Sequence, residues 1–206
     1  MSATTVLFLD LSRFTALTDV HGDLVAVGIA DRFIAAASAA AGSVGGQLVK
    51  TLGDGALLSF DRPGAAVLAA DETSRWLHGL GSMPEMTGGV TTGPVIGRAG
   101  DVFGSTVNLA ARLADLAAPG ELWTDEPTAR AAAEEGWQIE PLGQVDVRGF
   151  HEQRTLFRLT LCRPDNCVTD PVCGMRIAPG PTTPTLGLDD GRTWFCSEVC
   201  RDRHHA

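Results

Sequence analysis

Lysine is nearly absent from this chain of 206 residues. Fifteen of its sixteen lysine and arginine side chains are arginine, and the only lysine is Lys50. Arginine presents a planar fork of donors, whereas lysine presents one compact ammonium group on a flexible stem. The exception at position 50 therefore indicates a site that needs a single small donor.

An excess of positive charge is absent as well. The formal net charge is -9 and the isoelectric point is about 4.9. Binding to a phosphate backbone is driven by clustered lysine and arginine, so this charge argues against DNA or RNA as a partner. An anionic small molecule remains compatible with the charge if metal ions offset it.

Long apolar runs and a leader are not evident in the sequence. No apolar run approaches the roughly 20 residues that a membrane span needs. The stretch from Met1 to Asp10 lacks the basic start and long apolar segment of a signal peptide. With 44% apolar residues, the chain can still bury a real core. We therefore expect a folded cytoplasmic protein with no membrane partner.

Cysteine is missing from the first 161 residues and then becomes frequent. The five cysteines all lie in the last 45 residues: Cys162, Cys167, Cys173, Cys196 and Cys200. An odd, clustered set in a chain expected to be cytosolic indicates metal binding or redox chemistry rather than a disulfide framework.

Strands and helices alternate over about the first 160 residues. The apolar run Val6-Leu7-Phe8-Leu9 predicts a buried strand that ends at Asp10. Helical spacing predicts one long helix, or two abutting ones, from Thr15 to Ala41, with a candidate break at His21-Gly22-Asp23. Further strands and helices follow in turn, which is an α/β or α+β pattern.

The stretch Lys50-Thr51-Leu52-Gly53-Asp54-Gly55 has two interpretations. An Asp-Gly pair between two apolar runs is a strong signal for a hairpin turn. The same stretch also holds the only lysine and a carboxylate flanked by glycines. Which interpretation applies depends on whether the rest of the chain supplies partners for Lys50 and Asp54.

Residues that could share a site with Lys50 and Asp54 occur elsewhere in the chain. Asp10 at a strand end and Asp54 in a turn are hard oxygen ligands of the kind that hold Mg²⁺ with substrate phosphates. Asn108 and Arg112 are four residues apart and so share one face of a predicted helix. Arg112 could neutralise charge on a transferring phosphoryl group, and Asn108 could orient a sugar.

Lys50 and Asp101 form a donor and acceptor pair. A purine such as adenine presents a ring-nitrogen acceptor and an exocyclic amino donor, which one ammonium and one carboxylate can read. Each of these residues alone is a weak signal, because a charged residue at a strand end or on a helix face is usually just solvated.

Three segments together resemble the class III adenylyl/guanylyl cyclase catalytic domain. They are FLDLSRFT from Phe8 to Thr15, VKTLGDG from Val49 to Gly55, and GDVFGSTVNLAARL from Gly100 to Leu113. They stand in the family's order and at suitable spacing, and the likeness covers about residues 4 to 160. The resemblance implies an α+β sandwich with a ferredoxin-like core over residues 1–160.

The resemblance also assigns roles by position. Asp10, Asp54 and the backbone carbonyl of Leu11 match the ligands of two Mg²⁺ or Mn²⁺ ions per active site. The remaining matches are the adenine readers Lys50 and Asp101, the transition-state residues Asn108 and Arg112, and the substrate-lining residues Leu11, Phe14 and Thr15.

This completeness implies an adenylyl cyclase that acts on ATP, since guanine-specific members carry residues such as Glu and Cys at the Lys and Asp positions. The family implies a head-to-tail homodimer whose active sites are shared between subunits. An alternative is a catalytically silent nucleotide-binding or metal-sensing dimerisation module. One departure is Arg13, where the family commonly has a small residue; its side chain could crowd the phosphate-side loop or add a phosphate contact.

The C-terminal 45 residues differ in composition from the rest. After a linker over residues 161–168, DPVCGM from Asp170 and FCSEVC from Phe195 resemble the YHS domain and the related TRASH metal-binding module, over residues 169–206. Cys173, Cys196 and Cys200 would suit Zn²⁺ or Cu⁺. Three candidates remain open for a fourth ligand: Cys167, His204 and His205. The hypothesis is a metal or redox sensor that regulates the cyclase.

Overall fold

The computed structural model describes residues 3–162, 167–186 and 191–204. The main sheet contains β1 (Thr4–Leu11), β2 (Gln47–Leu52), β3 (Gly55–Phe60), β4 (Met86–Gly93), β7 (Glu121–Asp125), β8 (Glu140–Val145) and β9 (Arg154–Thr160). The short strands are β5 (Ile96–Arg98), β6 (Asp101–Phe103), β10 (Val168–Thr169), β11 (Arg176–Ile177), β12 (Thr185–Leu186) and β13 (Thr193–Trp194). The helices are α1 (Phe14–His21), α2 (Asp23–Ser43), α3 (Pro63–Gly79), α4 (Ser105–Leu116), α5 (Glu126–Glu134) and α6 (Glu198–Arg203).

The seven strands of the main sheet follow the order β2-β3-β1-β4-β7-β9-β8. Neighbouring strands are antiparallel except β4 and β7, which run parallel. Helices lie on both faces of this sheet. The mixed α+β architecture predicted from the sequence is therefore confirmed.

Side-chain alternation along β1 divides the two faces of the sheet. Leu7, Leu9 and Leu11 are buried in the larger core, together with residues of α2 and α3. Val6 instead packs with Ala110 of α4 in a smaller cluster that Phe8 adjoins. Because strand side chains alternate with a period of two, Asp10 projects from the same face as Val6 and Phe8. Helix α4 covers part of that face, which we call the α4 face.

Helix α4 rests directly on the backbone of β4. A Cβ atom at Gly89 would lie 2.0 Å from the carbonyl oxygen of Ala110 and 2.6 Å from the backbone nitrogen of Ala114. The absence of a side chain at Gly89 thus sets how closely the helix approaches the sheet. The same contact fixes the height of Asn108 and Arg112 above the α4 face.

Helices α1 and α2 are separate, as the alternative with two abutting helices predicts. The break falls at Gly22, whose φ of 83° favours glycine. By length and composition alone, α2 could cross a membrane. No uninterrupted apolar run of that length was expected, and Asp31 and Arg32 do interrupt α2, although its overall composition passes the test. In this fold its buried residues, among them Ile29 and Phe33, pack in the larger core.

The C-terminal segment, residues 167–204 where described, packs onto the rest of the chain. Cys173, Phe195 and Cys200 are buried in the larger core. Arg176 and Glu85 form an ion pair at 3.6 Å with both side chains at most 5% exposed. Residues 163–166, which are half of the predicted linker, and His205 lie outside the described residues.

Candidate active site

Asp10 and Asp54 meet at the edge of the α4 face. Asp10 lies one residue before the end of β1, and Asp54 occupies the tight turn between β2 and β3. A Cβ atom at Gly55 would lie 3.2 Å from Oδ1 of Asp10, so the turn passes immediately beside that carboxylate. The hairpin interpretation and the carboxylate-pair interpretation are thus compatible.

The two carboxylates disturb each other's protonation. Burial, and next the charge of Asp54, raise the pKa of Asp10 to about 7. Burial likewise raises the pKa of Asp54 above its ordinary value. A divalent cation between two half-buried carboxylates would offset both effects. This donor set fits Mg²⁺ or Mn²⁺, which prefer hard oxygen ligands.

Asp10→Asn is expected to stabilise the metal-free protein at pH 8 by about 1–3 kcal/mol. An acid whose pKa is raised on folding destabilises the folded state when ionised, so the gain is full above pH 7 and fades as the pH falls towards 4. Chemical denaturation at several pH values measures it. Asp31→Asn, at an exposed position on α2, is the matched control and should change little. An equal gain in both variants, or none at pH 8, would refute the assignment.

Lys50 and Asp101 form a direct ion pair. The Nζ atom of Lys50 lies 2.7 Å from Oδ2 of Asp101, and it also lies 5.6 Å from the centre of the Phe103 ring. The hydrogen bond from Lys50 holds the pKa of Asp101 below its ordinary value. Lys50 pairs with Leu57 across β2 and β3, and Leu57 belongs to the cluster on the α4 face. The pair therefore lies on the same face of the sheet as Asp10.

Asn108 and Arg112 line a cleft of about 620 Å³ beside α4. Arg112 donates to Asp115 at 3.0 Å and is about half exposed. The segment from Arg148 to Arg154, which leads into β9, forms the opposite wall. Its residues in the cleft include Arg148, His151, Glu152 and Arg154.

The arginines of this wall were missed because a turn with scattered cations is a common surface feature. With Arg112, they bring three guanidinium groups to one cleft, which suits an anionic ligand. The cleft is not lined by Asp10, Asp54, Lys50 or Asp101. Within one chain, the two metal-ligand aspartates, the lysine-aspartate pair and the two α4 residues therefore form three groups on one face rather than a single pocket.

Comparisons with known proteins agree with this architecture. The adenylyl cyclase CyaB from P. aeruginosa superimposes with a TM-score of 0.66 at 22% identity, covering 79% of this chain and 96% of that one. The catalytic core of a rhodopsin-guanylyl cyclase with converted specificity, in complex with ATPalphaS, gives a TM-score of 0.70 at 22% identity. This match covers 79% of the present chain and 97% of that one. Residues 66–160 match the family described as the adenylate and guanylate cyclase catalytic domain. The chain therefore has the fold of these cyclase catalytic domains, and we call this part of it the cyclase domain.

Curated relatives of the cyclase domain point the same way. The adenylate cyclase of Glutamicibacter nicotianae is 35% identical over 144 residues, which cover 69% of this chain and 36% of the relative. The adenylate cyclase of Streptomyces coelicolor is 39% identical over 115 residues, which cover 53% of this chain and 29% of the relative. The chain thus spans about a third of the length of these relatives. The family match ends at residue 160, so the resemblance of residues 169–206 to YHS domains stays a prediction.

Phe14 and Thr15 begin α1 immediately after the loop that follows Asp10 in the cyclase domain. Phe14 is half-buried against the larger core, and Thr15 is exposed. Both border a shallow surface depression that also includes Thr18 and Asp19. Leu11 is buried on the opposite face, so only its backbone could reach a metal ion. The substrate role of these three residues stays a prediction.

Arg13 takes neither of the two arrangements considered from the sequence. It adopts a left-handed backbone conformation with φ at 57°, and its Nη1 atom donates to the carbonyl oxygen of Pro171 at 2.6 Å. Its guanidinium group thus contacts the C-terminal segment. A phosphate contact would require this hydrogen bond to break.

Three cysteine thiols of the C-terminal segment converge next to the cyclase domain. The Sγ atom of Cys196 lies 3.5 Å from that of Cys173 and 3.6 Å from that of Cys200. Burial raises the pKa of Cys200 to about 12. Cys167 and His204 lie outside this group, and His204 instead packs its ring 5.3 Å from that of Phe195. The sequence thus predicted which three thiols come together. The two candidates for a fourth ligand that the structure describes, Cys167 and His204, lie away from them.

Proposed function

We propose that this chain is an adenylyl cyclase that converts ATP into 3′,5′-cyclic AMP and pyrophosphate. The observation that carries the proposal is the arrangement on the α4 face. A carboxylate pair, a lysine-aspartate pair and an arginine-lined cleft share one side of a cyclase-type sheet. The curated relatives named adenylate cyclase support ATP as the substrate.

The proposed reaction is an intramolecular phosphoryl transfer. The ribose 3′-hydroxyl attacks the α-phosphorus, the bond to the bridging oxygen breaks, and pyrophosphate leaves with that oxygen. Mg²⁺ or Mn²⁺, when bound, lowers the pKa of the attacking hydroxyl and neutralises the leaving group. Asp10 and Asp54 would hold the ions, and solvent would take the hydroxyl proton.

The other residues position the substrate and offset its charge. Lys50 would donate to a ring nitrogen of adenine, and Asp101 would accept from its amino group. Arg112 would neutralise charge that develops on the α-phosphoryl group, with Asn108 orienting the ribose beside it. No described side chain in the cleft is required as a general base, so positioning and charge account for the rate.

The proposal places each active site between two copies of the chain. Several large apolar side chains on or near the α4 face are 40–65% exposed in one chain: Leu52, Ile96, Phe103 and Leu116. Exposed apolar groups around a polar site are typical of a surface that a partner covers. A second copy, related by a two-fold axis, would cover these groups. It would bring its arginine-lined cleft to the first copy's carboxylates.

The C-terminal segment would act as the regulatory part, a metal or redox sensor. Its three thiols are free and close together, and the segment contacts the loop next to Asp10 through Arg13. Thiols in such a cluster respond to thiophilic metals and to oxidants. The proposal therefore includes regulation of the cyclase by one of these signals.

Incubation of the purified chain with Mn²⁺ and ATP, followed by chromatography of the products, tests the proposal. We expect cyclic AMP and pyrophosphate in equal amounts, with ATP used at least tenfold faster than GTP. Asp54→Ala is the control for contaminating enzymes and should form no product. Binding of ATP without product formation would instead favour the silent dimerisation module.

A further inference from the structure

His21, the last residue of α1, completes a tetrad with the three thiols. Its Nε2 atom lies 3.5 Å from Sγ of Cys196. The ligand atoms of His21, Cys173, Cys196 and Cys200 all lie within 4.8 Å of one another. A disulfide would require an S–S distance of about 2.05 Å, so the 3.5 and 3.6 Å separations describe unbonded thiols.

The observed separations match a tetrahedral metal site. With Zn–S near 2.3 Å and Zn–N near 2.0–2.1 Å, tetrahedral angles place sulfur atoms about 3.8 Å apart and sulfur about 3.6 Å from nitrogen. The three distances from Sγ of Cys196, to the two other thiols and to Nε2 of His21, fall close to these values, and the remaining pairs lie within 4.8 Å. Three thiolates and one imidazole suit a thiophilic ion rather than Mg²⁺.

Backbone contacts hold the cysteines in place before any ion binds. The buried carboxylate of Asp170 accepts from the backbone nitrogen of Cys173 at 3.3 Å and from that of Cys196 at 2.8 Å. Ser197 caps α6 by accepting from the backbone nitrogen of Cys200 at 3.3 Å. Asp170 is therefore a positioning residue that joins the two cysteine-bearing turns. Such preorganisation reduces the ordering cost of metal binding.

The tetrad joins the C-terminal segment to the far end of α1. The near end of the same helix follows Asp10 by only four residues, and Arg13 there donates to Pro171. A third contact, the ion pair between Arg203 and Asp19, lies next to His21. The segment thus contacts both ends of a helix whose start adjoins the candidate catalytic carboxylate.

We propose that His21, Cys173, Cys196 and Cys200 form a four-coordinate site for Zn²⁺ that clamps the C-terminal segment to α1. This inference extends the metal-sensing role proposed above, because it identifies α1 as the helix through which a bound metal would act on the cyclase domain. It does not depend on cyclase activity, because the site is defined by metal binding alone. Its four ligands leave no open position, so the ion is structural rather than catalytic.

Metal titration of the full chain tests the ligand set. We expect one Zn²⁺ per chain, and Co²⁺ in its place should show the intense visible bands of tetrahedral coordination. His21→Ala should lower the Zn²⁺ affinity at least tenfold, since even losing a group that only supports a ligand costs 10–100-fold. His21→Cys should restore tight binding and add the charge-transfer intensity of a fourth thiolate.

His204→Ala is the matched control, because His204 belongs to the C-terminal segment but lies outside the tetrad. It should bind Zn²⁺ like the unmodified chain. The proposal is overturned if the unmodified chain binds neither Zn²⁺ nor Co²⁺. It is also overturned if His21→Ala keeps the affinity and spectrum while His204→Ala loses them. Circular dichroism of each variant establishes that it is folded.

Hydrogen exchange tests the clamp separately. Zn²⁺ should slow amide exchange across residues 14–21 of the unmodified chain and have no such effect in His21→Ala. Slower exchange confined to residues 167–204 would show a metal site that does not link the C-terminal segment to α1, and it would overturn the proposed clamp. Neither readout uses ATP, so failure here is distinguishable from failure of the proposed cyclase activity.

Discussion

Chains carrying Asp54→Ala and chains carrying Arg112→Ala are each expected to be inactive, yet a mixture of the two should synthesise cyclic AMP. In a heterodimer of these variants, one shared site has lost both residues and the other has lost neither. Random pairing makes half of the dimers mixed, so the activity should approach about a quarter of the unmodified level. A cyclic AMP assay on the co-expressed mixture measures it, and sequential purification on two affinity tags isolates the mixed dimers, whose activity should approach about half of the unmodified level.

The matched control pairs two variants that damage the same half of the site. Asp54→Ala mixed with Asp10→Ala should stay inactive, because every dimer then lacks a carboxylate in both sites. A mixture of Asp54→Ala and Arg112→Ala that stays inactive, although mixed dimers are isolated, contradicts the shared site. Activity in the control mixture contradicts the assignment of both carboxylates to one half.

The double variant Lys50→Glu with Asp101→Cys is expected to reduce ATP turnover by at least 100-fold while leaving metal binding nearly unchanged. The exchange removes the donor and the acceptor proposed to read adenine, and unpaired polar groups at a reading site discriminate strongly. Steady-state kinetics with ATP give the first quantity. The increase in melting temperature on adding Mn²⁺ gives the second.

The exposed ion pair between Arg130 and Glu126 on α5 provides a control of similar chemistry. Arg130→Glu with Glu126→Cys should leave ATP turnover unchanged, because neither residue lines the arginine-rich cleft. Unchanged turnover in the Lys50 and Asp101 double variant would remove the base-reading assignment. Equal losses of turnover and of Mn²⁺ stabilisation would show that the exchange disrupts the site as a whole.

Most of the element succession could be predicted from the sequence because each boundary carries a local signal. Gly22 separates two helical patterns, Pro63 begins α3, and Asp-Gly marks the β2–β3 turn. The β5–β6 hairpin carries no such signal. Its turn uses Ala99 and Gly100 with φ values of 52° and 79°, and an alanine in that conformation leaves no trace in sequence patterns.

The candidate site was predictable where motifs fix positions and unpredictable where the fold alone brings residues together. Lys50 and Asp101 were paired from chemistry, and the structure joins them at 2.7 Å. His21 was not singled out, because a histidine at a helix end lies 175 residues from Cys196 and has no ligand spacing. Only packing of the C-terminal segment against α1 places the two side by side.

The direct pairing of Lys50 with Asp101 has a consequence for selectivity. Under the proposed assignment, a nucleobase must separate two groups that already satisfy each other. A base with the wrong donor and acceptor pattern would break this ion pair and would form fewer hydrogen bonds in its place, so its binding would be unfavourable. The base would then add little to affinity, which the polyphosphate must supply, and would act mainly by excluding the wrong nucleotide.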